Sequence, residues 1–310
     1  MTDRLIIVGA GLAGLLAARM LRHRNPVIHE QQRELPNNHS AVLRFESSVV
    51  GDVLGIEFKR VNMIKATLPW RNPIADSLAY SAKNLGTVRS DRSLPTAPIS
   101  TERYIAPPDL IERMAAGLDI EYGVPCGCDF FEHAKTKVLS TMPMPSLMDV
   151  LYYPNAPEFK SVPGVNVRAT VADCDAYVSL YVPDPDLPFS RVSITGDELI
   201  AECPGVAVDL PSAGHVAMMA AEVLGLSGIS GAVATKQKYF KIAPIDEGER
   251  RKFIYWASSL RGKAWQLGRY ATWRPGLKLD DLVKDIRLID KWMSSKSPEA
   301  DMEMHERRRA

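Results

Sequence analysis

Three glycines and one acid carry the first chemistry legible in the chain. Gly9-Ala10-Gly11-Leu12-Ala13-Gly14 follows the short apolar run from Arg4 to Val8, and Glu30 closes a second run, Val27-Ile28-His29-Glu30. Glycine lacks a Cβ, so Gly9 permits a tight turn, Gly11 lets the backbone approach a phosphate, and Gly14 lets helix and strand pack closely. The N–H groups freed where the next helix starts, at Leu12 and Ala13, and the positive end of that helix then face a pyrophosphate. Glu30 stands 21 residues after Gly9, at the distance where an acid accepts hydrogen bonds from ribose hydroxyls. A lone GxGxxG is weak evidence. Here the strand before it, the helix after it and the acid at the end of the next strand are all in place, so the chemistry expected is dinucleotide binding.

The elements that position this motif follow from periodicity. Arg4 to Val8 reads as a strand, Ala13 to His23 as a helix stopped by Pro26, and Val27 to Glu30 as the second strand. Beyond a polar stretch, Ala41 to Phe45 is strand-like, and residues 47–98 are mixed, with breakers at Pro69, Pro73 and Pro95. A helix is expected over Asp109–Ala116, a strand and turn over Leu118–Val124, a strand over Lys137–Pro143 and a helix over Ser146–Leu151. Ala176–Val182, Pro183-Asp184-Pro185-Asp186 and Phe189–Thr195 read as a hairpin of an antiparallel sheet. Helices at Ala213–Leu224, Glu247–Leu260 and Leu279–Met293, and an extended run at Lys238–Ile242, complete the reading. Gly225, Gly228 and Gly231 are spaced GxxGxxG but lack an acid downstream, and read as a loop rather than a second nucleotide site.

Composition narrows the class. The chain is 46% hydrophobic and 24% charged, with a formal net charge of +1, which carries no global footprint for nucleic acid or membrane. Of the cysteines, Cys126 and Cys128 are close but meet no second Cys or His pair at zinc-ligand spacing, and Cys174 and Cys203 stand apart. Free thiols in a reducing cytoplasm, with no metal, are expected. No stretch has the roughly 18–20 apolar residues of a spanning helix. The charged last dozen residues read as a flexible tail.

Gly14-Leu15-Leu16-Ala17-Ala18-Arg19-Met20-Leu21 followed by Glu30 resembles the FAD segment of the amine oxidase, protoporphyrinogen oxidase and UDP-galactopyranose mutase group, in a compact, phage-type form. Three later segments agree in order. Leu110 to Val124 is similar to the group's helix and extended segment beside the adenine. Val138-Leu139-Ser140-Thr141-Met142-Pro143 is similar to its strand under the dinucleotide, and Leu267-Gly268-Arg269-Tyr270-Ala271-Thr272-Trp273 to its C-terminal flavin motif. The Gly-Gly-Arg usually found shortly after the ribose acid is absent; Asn37-Asn38-His39-Ser40 stands near that place. The chain is also shorter than typical members, which implies a trimmed substrate domain. The resemblance implies an α/β fold: a discontinuous Rossmann-like FAD domain (1–46, 101–151, 236–296), a smaller interleaved α+β substrate domain with an antiparallel sheet (47–100, 152–235), and a tail at 297–310.

The resemblance also implies roles. Gly9, Gly11, Leu12, Ala13, Gly14, Glu30, Val124, Thr141, Gly268 and Arg269 would hold FAD, and Arg44 could neutralise its pyrophosphate. FAD is favoured over NAD because the fingerprint stands at the extreme N-terminus, and with no second GxGxxG later no NAD(P)H domain is expected. His39 would pass the flavin ring as donor, acid or base, or be a plain loop residue. Arg191 would face the substrate, where a guanidinium fork suits a carboxylate or phosphate, or point outward from its strand. Lys241 could orient a water at the flavin, as in amine oxidases, or be solvated. The reaction implied is oxidation of a C–N bond in a small-molecule or nucleotide-linked amine, or one carried on a modified DNA base. The alternatives are a mutase-like, non-redox reaction on a nucleotide sugar and a catalytically silent flavin binder.

Overall fold

The computed structural model describes residues 4–35, 44–68, 72–89, 93–134, 136–205, 212–260 and 264–295. His39 and the tail at 297–310 lie outside the described residues. The strands in chain order are β1 (Ile6–Val8), β2 (Val27–Glu30), β3 (Arg44–Phe45), β4 (Lys59–Thr67), β5 (Ile99–Ile105), β6 (Asp119–Tyr122) and β7 (Val138–Ser140). They continue with β8 (Ser161–Val171), β9 (Ala176–Tyr181), β10 (Arg191–Gly196), β11 (Glu198–Pro204), β12 (Ile229–Ile242) and β13 (Ala264–Gln266).

Among the described residues these strands form two sheets. The first runs β13-β7-β1-β2-β6, and every pair in it is parallel. Its central strands are short apolar runs buried on both faces, as a helix-covered parallel sheet requires. The helix Leu12–Met20 packs one face through Leu15, Leu16, Ala17 and Ala18, joined by the amphipathic helix Asp281–Ser294. Arg19 donates to the carbonyls of Arg113, Met114 and Ala116, which ties the helix Leu110–Ala115 to the first one. The opposite face is closed by Met144, Leu147, Phe253 and Ala257.

The second sheet runs β12-β8-β11-β10-β9-β4-β5-β3 and is antiparallel except for the parallel pair β4–β9. The expected hairpin is its β9–β10 pair. Alternation of side chains makes its two faces different. Val165, Val167, Ala169, Val192, Ile194, Leu199 and Ala201 point to one face, under Val216, Ala217, Ala220 and Ala221 of the helix Ala213–Leu224. The other face carries charged and hydroxyl groups.

Several elements depart from the sequence expectation. The first helix ends at Met20 with Leu21 as its C-cap and passes into a 3₁₀ turn at Arg22–Arg24, which Asn25 closes in a left-handed conformation (φ 48°). The stretch 47–98 contains two helices, Val49–Leu54 and Pro73–Leu85; Asn72 caps the second by accepting from the N–H groups of Ile74 and Ala75. Lys238–Ile242 is the end of the longer β12. Gly231 sits inside that strand at φ +64°, where the register with β8 shifts, so only Gly225 and Gly228 form the expected loop. Strands β3, β5 and β12 pair within the second sheet, across the boundaries drawn from sequence near 46, 100 and 235. No described helix is long and apolar enough to cross a membrane.

Candidate functional site

The glycine turn can be dissected position by position. A Cβ on Gly9 would collide with Thr141 Oγ1, and Gly9 has φ +99°; a Cβ on Gly14 would collide with the Gly9 carbonyl. Both are glycine for reasons internal to the fold. Gly11 differs. Its backbone is extended (φ −70°, ψ 175°), which any residue adopts, and no atom lies within 4 Å of where its Cβ would sit. Among the described residues nothing occupies that space, so the backbone at Gly11 is open to a group approaching from outside. Gly11 is also the N-cap of the first helix and offers no side-chain cap, which leaves the first-turn N–H groups open to an anion.

The flanking residues gather around this turn. Glu30 is 6% exposed, and its carboxylate accepts from the Ala10 N–H at 2.6 Å and the Gln32 N–H at 2.8 Å. Each oxygen keeps a lone pair for a hydroxyl. Val124 donates its N–H to the Glu30 carbonyl at 2.9 Å, which places it beside that acid and leaves its own carbonyl to offer. Thr141 closes the turn by donating to Val8 O through both its N–H (2.9 Å) and its hydroxyl (2.8 Å). Gly268, at φ +104°, brings the last strand's exit against the helix, since a Cβ there would lie 3.2 Å from Ala13 Cβ. These residues fit a dinucleotide.

Arg269 follows directly. Its Nε is buried without a hydrogen bond, its guanidinium lies 5.8 Å from the Tyr270 ring centroid, and among the described residues no carboxylate pairs with it. Its charge reaches Lys241 and helps to lower that amine. An unpartnered guanidinium one residue from the turn contact suits an anion such as part of a bound dinucleotide. Arg269→Ala is accordingly expected to lower flavin occupancy severalfold in protein purified with excess FAD, read as the ratio of absorbance at 450 nm to that at 280 nm. Unchanged occupancy would assign Arg269 elsewhere.

On the polar face of the second sheet, strand register aligns Thr67, Tyr181, Arg191, Glu202, Asn166 and Thr235 in one row across six strands. A second row, two residues along, carries Lys65, Ser179 and Ser193. Glu202 is buried and shared: Arg191 donates to its Oε1 through Nε (2.5 Å) and Nη2, and Lys241 Nζ lies 2.9 Å from its Oε2. Burial would push the Glu202 carboxyl up, but Arg191 and Lys241 outweigh it and hold the group well below the usual range. Burial lowers Lys241 to about 8, with Glu202 opposing and Arg191 and Arg269 adding to the fall. Arg44 lies on the same face, with Nη1 3.2 Å from Met63 Sδ and Nη2 3.4 Å from Ser193 Oγ. Burial, then Arg191, lowers it to about 10.

Arg191, Lys241, Arg44 and Arg269 therefore converge, through Glu202 and one another. Neither Arg191 nor Lys241 is the free side chain the sequence suggests, because Glu202 binds both. Arg44 rests on β4 and β10. Glu202, Lys65 and the Ser179–Ser193 pair were missed in the sequence. Alternating polar residues in a strand read as a solvated face, and only register shows that they meet.

No protein-family model and no curated protein matches the sequence. The likeness lies in the fold. The chain is similar to UDP-galactopyranose mutase in its reduced form, with a TM-score of 0.67 at 13% identity, covering 96% of this chain and 98% of that one. A geranylgeranyl bacteriochlorophyll reductase-like protein from Thermoplasma acidophilum gives 0.57 at 10% identity, covering 99% and 83%. An FAD-dependent oxidoreductase from Pseudomonas aeruginosa gives 0.51 at 16%, covering 95% and 92%. The fold is the one these solved structures share, a Rossmann-type parallel sheet beside a second, mixed sheet, and one of them is an FAD-dependent oxidoreductase.

Proposed function

We propose that the chain is an FAD-dependent oxidoreductase that oxidises the C–N bond of an amino-acid-like group held by its anionic end. Bound FAD supplies the hydride acceptor. Gly11, Leu12 and Ala13 would hold its pyrophosphate through backbone N–H groups, Glu30 its ribose, and Gly268 and Arg269 the flavin side.

The observation that carries the substrate assignment is the charge balance on the polar face. Arg191 and Lys241 bind the Glu202 carboxylate, Arg44 feels its charge, and Arg269 adds positive charge beside Lys241. Such a surface attracts a carboxylate or phosphate, and it also lowers the pKa of a nearby ammonium group. Both effects serve C–N oxidation, which needs the substrate anchored and its nitrogen neutral. Arg191, with Nε and Nη2 fixed on Glu202, keeps Nη1 without a hydrogen bond among the described residues. That nitrogen is the proposed anchor.

The same cations suit a diphosphate, and the overlap with the mutase spans 98% of that chain, so a mutase-type reaction on a nucleotide sugar is the second reading. Anaerobic mixing separates the two. Bleaching of the flavin by amino-acid-like compounds, free or carried on a modified DNA base, supports oxidation. A flavin that stays oxidised with every such compound, and turns over a nucleotide sugar only after dithionite, would replace it with the mutase reading. Arg191→Ala is expected to slow substrate-driven flavin reduction by about tenfold or more, one decade being about 1.4 kcal/mol. Flavin content should stay normal, and an unchanged reduction rate would remove Arg191 from the site.

A further inference from the structure

The polar face holds more positive charge than one anion requires. Beyond the Glu202 group, Lys65 stands on β4 in register with Ser179, which pairs in turn with Ser193. Three neighbouring strands thus present an amine and two hydroxyls in one row. Ser179 and Ser193 lie 3.2 Å apart, Oγ to Oγ, and both residues are almost fully buried. One of their two hydroxyl protons joins the pair, and no acceptor among the described residues takes the other. Arg44 reaches the same spot through its 3.4 Å contact to Ser193 Oγ.

The carboxylates that act on this group, Glu46 on Lys65 and Glu202 on Arg44, are each bound to other cations. Glu46 is bound by Arg103 at 3.4 Å and by Lys278 at 2.7 Å. Among the described residues, neither Lys65 nor Arg44 has a carboxylate within ion-pair distance. Burial lowers the Lys65 amine to about 8, and Arg103, Arg44 and Arg191 add to the fall. Cations brought together without a counter-charge cost stability, and an anion bound among them relieves that cost.

We propose that Lys65, Arg44 and the Ser179–Ser193 pair form a second anion subsite, which holds a phosphate ester of the substrate. This rests on the reading above and narrows it: the amino-acid-like group is carried on a phosphorylated or nucleotide-linked molecule. An ammonium, a guanidinium and a hydroxyl, converging from separate strands, match the oxygens of a tetrahedral phosphate better than the two oxygens of a planar carboxylate. Arg191 remains the anchor beside the reacting carbon, and the phosphate lies one row further along the sheet.

Calorimetric titration of the FAD-loaded protein with inorganic phosphate, and separately with methyl phosphate as a minimal ester, tests the subsite without any turnover. Both are expected to bind. Lys65→Met should weaken both by about tenfold or more, and Ser193→Ala by a few fold, with the flavin spectrum unchanged. Equal binding by wild type and Lys65→Met overturns the proposal, as does a wild type that binds neither ion. Inorganic phosphate binding without methyl phosphate binding overturns the ester assignment. If Lys65→Met does not fold, Ser193→Ala alone decides. Because the titration needs no substrate oxidation, failure of the C–N reading leaves its result interpretable, and the reverse also holds.

Discussion

Gly11→Val is expected to yield a folded, soluble protein that purifies without flavin, whereas Gly14→Ala should fail before the cofactor matters. The two positions lie on the same turn, and their surroundings are opposite. At Gly11 an added Cβ meets no atom of the described residues within 4 Å, and the extended backbone suits a β-branched residue. The folded state has no reason to object. The space it fills is the one where a pyrophosphate must approach the first-turn N–H groups, so the loss falls on binding. At Gly14 the added carbon runs into the Gly9 carbonyl, which belongs to the turn itself and cannot swing aside. Overpacking of this kind typically costs about 1–3 kcal/mol, occasionally more. Circular dichroism and thermal melting should show native Gly11→Val and destabilised Gly14→Ala, and flavin absorbance should be lost at Gly11→Val. A yellow Gly11→Val at full stoichiometry would show that the cofactor's phosphates lie elsewhere.

That contrast also marks what a sequence can carry. The βαβ unit was legible because each part has a local signature: a glycine spacing, an apolar run, an acid at a set distance. The β9–β10 hairpin was legible because Pro183-Asp184-Pro185-Asp186 separates two alternating runs. Of the polar face, Arg44, Arg191, Lys241 and Arg269 were legible one by one, but the group they form with Glu202 was not. Glu202 lies in a strand, Glu198-Leu199-Ile200-Ala201-Glu202-Cys203-Pro204, whose apolar run gives no local sign that this acid meets two cations. Its meaning depends on β10 and β12 bringing Arg191 and Lys241 to the same carboxylate, which are pairings between segments 11 and 39 residues away. Lys65 is further still. It comes from a stretch that reads as mixed and irregular, and it meets Ser179 only through the one parallel pair of an otherwise antiparallel sheet. Local pattern names the elements, and non-local register assembles the chemistry.

Glu202→Ala is expected to be among the most damaging single changes in the second sheet, at about 3–5 kcal/mol. The carboxylate is buried and binds two cations, and Arg44 and Arg269 add positive charge nearby. Removing it leaves Arg191 and Lys241 in a poorly solvated place with nothing to offset their repulsion. Glu202→Gln keeps the shape and loses the charge, so most of the cost should remain. Adding Lys241→Met to Glu202→Gln removes one uncompensated cation and should recover part of it. The pH dependence carries a distinct signature. The folded carboxyl sits below its unfolded value of about 4.3, so its stabilisation is complete above that value and fades as pH falls toward the folded one. Wild type should therefore lose stability in acid through this group, and Glu202→Gln should lack that part of the loss. Lys241 acts at the other end. Its folded value of about 8 lies below the ordinary 10.5, so between the two the unfolded chain binds the proton and the folded one does not. Stability from this group rises with pH across that window. Without Glu202 the amine falls further, and the rising limb should begin below pH 8. Urea titrations of wild type, Glu202→Gln and the double variant at acid, neutral and alkaline pH would show all three effects. A Glu202→Gln protein within about 1 kcal/mol of wild type at neutral pH, with an unchanged acid limb, would mean that the cations are neutralised by some other group.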